Sequence, residues 1–235
     1  ILLKVLKSKR IIGLSIKYFI PNTNLLKKLF FQSAPISAAL LLISVGNFII
    51  LTYIGVFGEY AVAGFGSAAR FEQILLLPVL GLNTAIISII GQNFGAKNFL
   101  RVQESYFTAI KYGFILMILS GLIIFLSADK IVGIFSNNPV VIDYGTNYLK
   151  ISALIFPAYP IFFISNGFFM AIKKSKNSMY LNVIRNVILP IPTILSANAI
   201  DGSYETFFWC YCIANWIYVL CLFAYVRSYI KKKIL

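Results

Sequence analysis

The sequence predicts an all-α membrane protein, a bundle of six transmembrane helices. Three observations predict it. The chain of 235 residues is 60% hydrophobic and only 12% charged, with a mean hydropathy of +0.86, whereas a soluble domain carries about a quarter charged residues. Its apolar residues gather into runs long enough to cross ~30 Å of hydrocarbon, which takes about 20 residues each. Short basic clusters separate those runs, as they do in polytopic membrane proteins.

Residues 1–30 read as a cytoplasmic or interfacial linker. "ILLKVLKSKR" interleaves charged with apolar residues and lacks the clean apolar core of a signal peptide. In "PNTNLLKKLFFQ", Asn22, Thr23 or Asn24 offers an N-cap; Leu25, Leu26, Leu29 and Phe30 follow on one face, with Lys27 and Lys28 on the other. That pattern suits a short helix on the inner membrane surface, either a lipid-sensing element or a plain connection. The transmembrane lobe spans 31–235, with crossings near 32–57, 61–92, 106–128, 148–172, 178–200 and 206–228. The second window is long, which implies tilt, a kink or an end reaching the interface. Between the third and fourth, residues 127–149 form the one sizeable outer connection, whose apolar residues suggest an interfacial helix.

All 21 basic residues except Arg70, Lys130 and Lys150 fall on one side of these crossings, and five of the seven acids (Glu59, Asp129, Asp143, Asp201 and Glu205) fall on the other. This bias places both termini in the cytoplasm and makes the chain a multi-pass protein of the plasma (inner) membrane, with lipid as its surroundings. The juxtamembrane Lys and Arg account for the net charge of +14 without a nucleic-acid partner. There is no histidine, which excludes His-based zinc sites and Ser-His-Asp or Cys-His catalysis. An aspartyl intramembrane protease would need two membrane aspartates, so no enzyme, cofactor or metal site is expected. Cys210, Cys212 and Cys221 read as small apolar residues.

The polar residues at depth carry the functional signal. Counting inward from Gly58-Glu59-Tyr60, Arg70 and Glu72 lie near mid-membrane at about 1.5 Å per residue. A charge there costs a few kcal/mol on even the lenient insertion scales, ~2.5–3.5, so it must face water or protein. Residues two apart do not meet on a helix, so Arg70 shares its face with Gln73 while Glu72 points elsewhere. Candidate partners by type are Asn47, Asn166, Asn182 and Asn186. Glu72 is the one carboxylate expected in the hydrocarbon. It is either a site that binds and releases a proton or metal cation or an interhelical clamp with Arg70 as second anchor. Pro78, Pro157, Pro160, Pro190 and Pro192 interrupt three spans as hinge candidates and free carbonyls that can coordinate a cation. Arg185 is close enough to "KKSK" to snorkel to the inner surface. "GQNFGAKNF" lacks the Gly-Lys-Ser/Thr ending of a phosphate loop and follows a helix; Gly95 is expected to end the span as a left-handed cap.

"AGFGSAARFEQILLLPVLGLNTAIISIIGQNFGA" (63–96) resembles the eighth helix of multidrug and toxic compound extrusion (MATE) transporters through Gly64, Arg70, Glu72, Pro78, Gly81, Ala85, Gly91-Gln92-Asn93 and Gly95-Ala96. Ala34-Pro35-Ile36 is similar to the opening of the family's seventh helix. "IFSNNPVVIDYGTNYLKI" (134–151) is similar to the outer segment before the tenth, and "SMYLNVIRNVILPIP" (178–192) to the eleventh with its Arg. The arginine–glutamate pattern resembles a prokaryotic branch. The resemblance implies one lobe of a twelve-helix transporter that exports small cationic or amphipathic compounds in exchange for protons or sodium. It also implies an N-terminal six-helix lobe or a second chain as partner. Glu72, Arg70, Gln73, Asn47 and Asn166 would then line or support an inner cavity. The acid that some branches carry in the seventh helix is absent from "LLLISVGN" (40–47), and Met170-Ala171-Ile172-Lys173 stands where the family often shows Gln-Ala-x-Gly. A lipid-carrier flippase of related fold and a non-transporting membrane interaction subunit are the alternative readings.

Overall fold

The computed structural model describes residues 23–234. Eight α-helices follow in order: α1 (Thr23–Ile54), α2 (Glu59–Gly95), α3 (Phe99–Gly133), α4 (Pro139–Ile155), α5 (Ala158–Ala171), α6 (Ser175–Val183), α7 (Pro190–Ile200) and α8 (Tyr204–Lys233). A 3₁₀ turn, Gly55–Phe57, closes α1, and a π-helical turn, Ile184–Ile188, joins α6 to α7. Helices α4 and α5 are the halves of one span bent by 57°, while α6, the π turn and α7 make another. Among the described residues five spans are each long and apolar enough to cross a membrane, the bent α4–α5 pair makes a sixth, and the chain is a multi-pass membrane protein.

Local sequence explains where the crossings break. Asn98 caps α3 by accepting from the Arg101 amide at 3.3 Å, and Asn138 caps α4 by accepting from Val140 N at 2.9 Å with Pro139 at the first helical position. The outer connection is absorbed into the spans: α3 runs to Gly133 and α4, capped by Asn138, starts at Pro139, leaving no separate interfacial helix. The turn after α2 is left-handed at Lys97 (φ 59°), two residues beyond the expected Gly95. Pro157 stands at the 57° bend with Pro160 in the first turn beyond it. Pro78 lies inside α2, which continues past it to Gly95. Before Pro190 and Pro192 the chain widens, and Leu189 N bonds to Ile184 O at 2.8 Å, five residues back.

The expected surface helix near residue 30 is not a separate element, because α1 runs from Thr23 to Ile54 without a break. Residues 1–22 of the expected linker, and Leu235, lie outside the described residues.

Packing centres on α2 and α5. The buried stripe of α2 (Ala61, Gly64, Ala68, Glu72, Val79, Ile86 and Ile90) packs against α3, α4 and α5. Helix α5 is buried nearly all round, and α8 lays Phe208, Cys212, Asn215, Val219 and Leu222 along α4, α5 and α7. Helix α1 packs chiefly on α6 and the π turn, and touches α2 little.

Candidate functional site

Close backbone approach between α2 and α4 sets the site. A Cβ at Gly64 would stand 2.7 Å from the Val141 carbonyl oxygen and 2.9 Å from Gly145 N, so both helices need glycine at the crossing. Two turns further along α2 comes Glu72; one and two turns further along α4 come Tyr148 and Ser152. The Glu72 side chain is 6% exposed and accepts three hydroxyl hydrogen bonds. Tyr148 and Ser152 (3.0 Å) donate to Oε2, and Tyr159, from α5 beyond the bend, donates to Oε1. One carboxylate thus ties together both halves of a bent span. Among the described residues it forms no ion pair.

A second charge lies behind Tyr159. Arg185, 8% exposed, enters from the π turn, and its guanidinium carbon sits 4.2 Å from the ring centre of Phe162, 4.9 Å from Tyr159 and 6.0 Å from Phe163. Its Nε donates to Asn215 Oδ1 at 3.3 Å, and Asn215 donates in turn to the Tyr211 carbonyl at 3.0 Å. Aromatic faces and one amide hold this cation, so it does not snorkel to the inner surface. The same turn meets α1, since a Cβ at Gly46 would lie 2.8 Å from Asn186 Cβ.

The expected site residues separate into three places. Glu72 is the centre just described, and its partners are hydroxyls rather than the asparagines proposed by residue type. Asn166 accepts from Ser178, and a ladder continues as Asn182 donates to Ser178 O (2.9 Å) and Asn186 to Asn182 O (3.1 Å). Arg70, Gln73 and Asn47 are exposed. Arg70 and Gln73 belong to a stripe on α2 with Gly81, Thr84 and Ser88, all exposed and recurring at helical spacing. This stripe lies on the side of α2 away from the packed one. Ile74 and Leu77, also exposed, share this side of α2, so the face mixes polar and apolar side chains.

Residues missed from sequence are Tyr148, Ser152, Tyr159, Arg185 as a buried group, and Asn215. A signal for the first three was present: positions 148, 152 and 159 fall within about 40° of one another on a helix of 3.6 residues per turn. Hydroxyls recurring on one face of an apolar span mark an internal polar seam.

The family model MatE matches residues 35–195. Among curated proteins, the chain is 27% identical over 158 residues to the probable multidrug resistance protein YpnP of Bacillus subtilis, covering 67% of this chain and 36% of that protein. It is 22% identical over 197 residues to the multidrug export protein MepA of Staphylococcus saprophyticus, covering 84% of this chain and 43% of that protein. It is 25% identical over 156 residues to an FAD transporter of Shewanella oneidensis, covering 66% and 34%. The chain therefore spans less than half the length of these relatives. Among solved structures, an outward-facing MATE family transporter of the MOP superfamily superposes with a TM-score of 0.87 at 21% identity, over 97% of this chain and 51% of that one. A MOP superfamily transporter from Pyrococcus furiosus, whose report describes a binding pocket of reverse polarity, superposes with a TM-score of 0.85 at 22% identity, over 94% and 50%. The fold is that of one half of such a transporter, and the chain belongs to the MatE family.

Proposed function

We propose that the chain forms the C-terminal lobe of a secondary active efflux transporter, working with a second six-helix lobe in the bacterial plasma membrane with both termini cytoplasmic. The observation that carries the proposal is Glu72, a carboxylate buried at depth whose two oxygens are both engaged by hydroxyl donors. The MepA and YpnP relatives, named as multidrug export or resistance proteins, support export as the direction and drugs as the substrate class.

The mechanism follows from hydrogen-bond arithmetic. An ionised carboxylate only accepts, whereas a protonated one also donates, and a bound sodium ion occupies oxygen lone pairs. Loading Glu72 with a proton or sodium takes up one of its about four lone-pair sites and cancels its charge, so the charge-assisted bonds from Tyr148, Ser152 and Tyr159 weaken together. Because Tyr159 lies across the bend from the other two, loading loosens the tie between α4 and α5. The bend is then free to change, aided by Pro157 and Pro160, while Pro190 beside the π turn gives the α6–α7 span a matching hinge and Pro78 softens α2. The exposed stripe with Arg70 and Gln73, and Asn47 on α1, would line the passage; Asn166 would support it.

The test is dye efflux from vesicles carrying the intact transporter. Glu72→Gln is expected to abolish efflux driven by a proton or sodium gradient, and comparing the two gradients in the native protein identifies the ion. Unchanged, gradient-dependent efflux in that variant would overturn the proposal. A second reading, a flippase for anionic lipid carriers, is favoured by one observation, the exposed guanidinium of Arg70 at depth. Translocation of a labelled lipid pyrophosphate in place of the dye would select it.

A further inference from the structure

The end of the bundle where α3 begins and α8 finishes contains an open cleft unconnected with Glu72. Gln103, Phe107, Phe223, Arg227 and Lys231 line a volume of about 340 Å³. A second volume of about 320 Å³ continues from it along α8 past Lys232. The floor is aromatic: Phe107 and Phe223 meet edge to face with centres 5.9 Å apart, in a region where α3 and α8 are not otherwise closely packed. The rim is cationic, with no acidic residue among those lining the cleft. Arg227 and Lys231 are one turn apart on the same face of α8, both exposed, and neither makes an ion pair or hydrogen bond with any described residue. The acid on this stretch of α3, Glu104, is already engaged by Arg101 at 3.2 Å.

Like charges at i and i+4 repel, and an anion placed between them stabilises both. Charge complementarity therefore calls for an anion, and the aromatic floor calls for hydrocarbon attached to it. Both helix ends lie where the spans leave the membrane, so one molecule supplies both parts. We propose that this cleft binds the phosphodiester headgroup of an anionic phospholipid between Arg227 and Lys231, with an acyl chain over the Phe107–Phe223 pair. Basic clefts between helices at the cytoplasmic surface suit such headgroups, and the anionic lipid of that leaflet is supplied by the membrane itself. The bound lipid would wedge α3 against α8, the helix that packs on α4 and α5 behind the carboxylate site. This inference does not depend on the transport reading.

The experiment is native mass spectrometry of the purified full chain, titrated with phosphatidylglycerol or with phosphatidylcholine. Retention of phosphatidylglycerol at least tenfold above phosphatidylcholine is expected. Arg227→Gln with Lys231→Gln should abolish that preference, and Arg227→Lys with Lys231→Arg should keep it. Lys173→Gln with Lys174→Gln, removing an exposed basic pair elsewhere, should leave it unchanged. Equal retention of both lipids, an unchanged preference in the Arg227/Lys231 glutamine variant, or an equal loss in the Lys173/Lys174 variant would each overturn the proposal. So would displacement of the lipid by millimolar inorganic phosphate, which would make the cleft a site for the free ion.

Discussion

Arg185 and Glu72 are opposite charges buried in the same bundle that form no ion pair, yet both touch Tyr159. The carboxylate accepts the tyrosine hydroxyl, while the guanidinium carbon stands 4.9 Å from the centre of its ring. One side chain thus senses both charges, and the two are separated by an aromatic plane instead of being neutralised in contact.

That arrangement makes Tyr159 and Glu72 energetically coupled. Tyr159→Phe removes one donor to a buried carboxylate, which is expected to cost about 0.5–2 kcal/mol, since interhelical hydrogen bonds in membranes average ~0.6 and those to charged groups are stronger. In a Glu72→Gln background the same change should cost less. A double-mutant cycle by thermal unfolding in detergent checks it, and strict additivity would refute the coupling.

Arg185→Lys keeps the charge but loses the planar group lying over Phe162 and the Nε bond to Asn215. A loss of about 1–2 kcal/mol is expected from desolvated cation–π contact. Arg185→Met should be no worse than the lysine if packing rather than charge dominates the cage. Unfolding midpoints of the two variants decide between these terms.

Gly64→Ala places a methyl against the Val141 carbonyl and should cost about 1–3 kcal/mol as overpacking of a helix crossing. Gly66→Ala, two residues on, meets nothing within 4 Å and should be neutral or slightly stabilising. The pair is measured by thermal unfolding, and equal effects would mean that the α2–α4 approach is looser than described.

Outside the membrane, Asp201 receives the Ser203 amide at 2.9 Å and the Thr206 hydroxyl at 3.0 Å, and these bonds hold its carboxyl below the ordinary value of 3.8. A carboxyl depressed in the folded state adds stability that is fully present above 3.8 and fades as pH falls through the folded value. Asp201→Asn should therefore flatten the dependence of the unfolding midpoint on pH below about 4, leaving the curve above pH 6 parallel to that of the parent. An unchanged acid limb would show that the turn contributes nothing.

Much of the fold was legible because membrane crossings are written in local composition. Apolar runs of fixed length and prolines at 157 and 190 each act within a few residues of themselves, whereas the Asn138-Pro139 cap, which starts α4 directly, lay inside a stretch expected to form an interfacial helix. Glu72 stood out for the same reason, as a charge where the surroundings are apolar. Its partners were not singled out: Tyr148, Ser152 and Tyr159 share one helical face in the sequence, but only the fold shows that face turned toward Glu72 from both sides of a 57° bend. Arg185 was misread because its distance from a basic cluster invites snorkelling. The widened turn ahead of Pro190, from which it points inward, packs against Gly46 of α1, a tertiary contact that no single window contains.

The exposed ribbon of Arg70, Gln73, Gly81, Thr84 and Ser88 has a consequence for how this lobe tolerates change. Around the second helix, that sector, which also contains the exposed Leu77, should accept polar replacements that ordinary bilayer-facing residues reject. A saturation library scored for folded protein in the membrane would trace that sector as an outline of whatever the lobe lies against, whether water or another polypeptide.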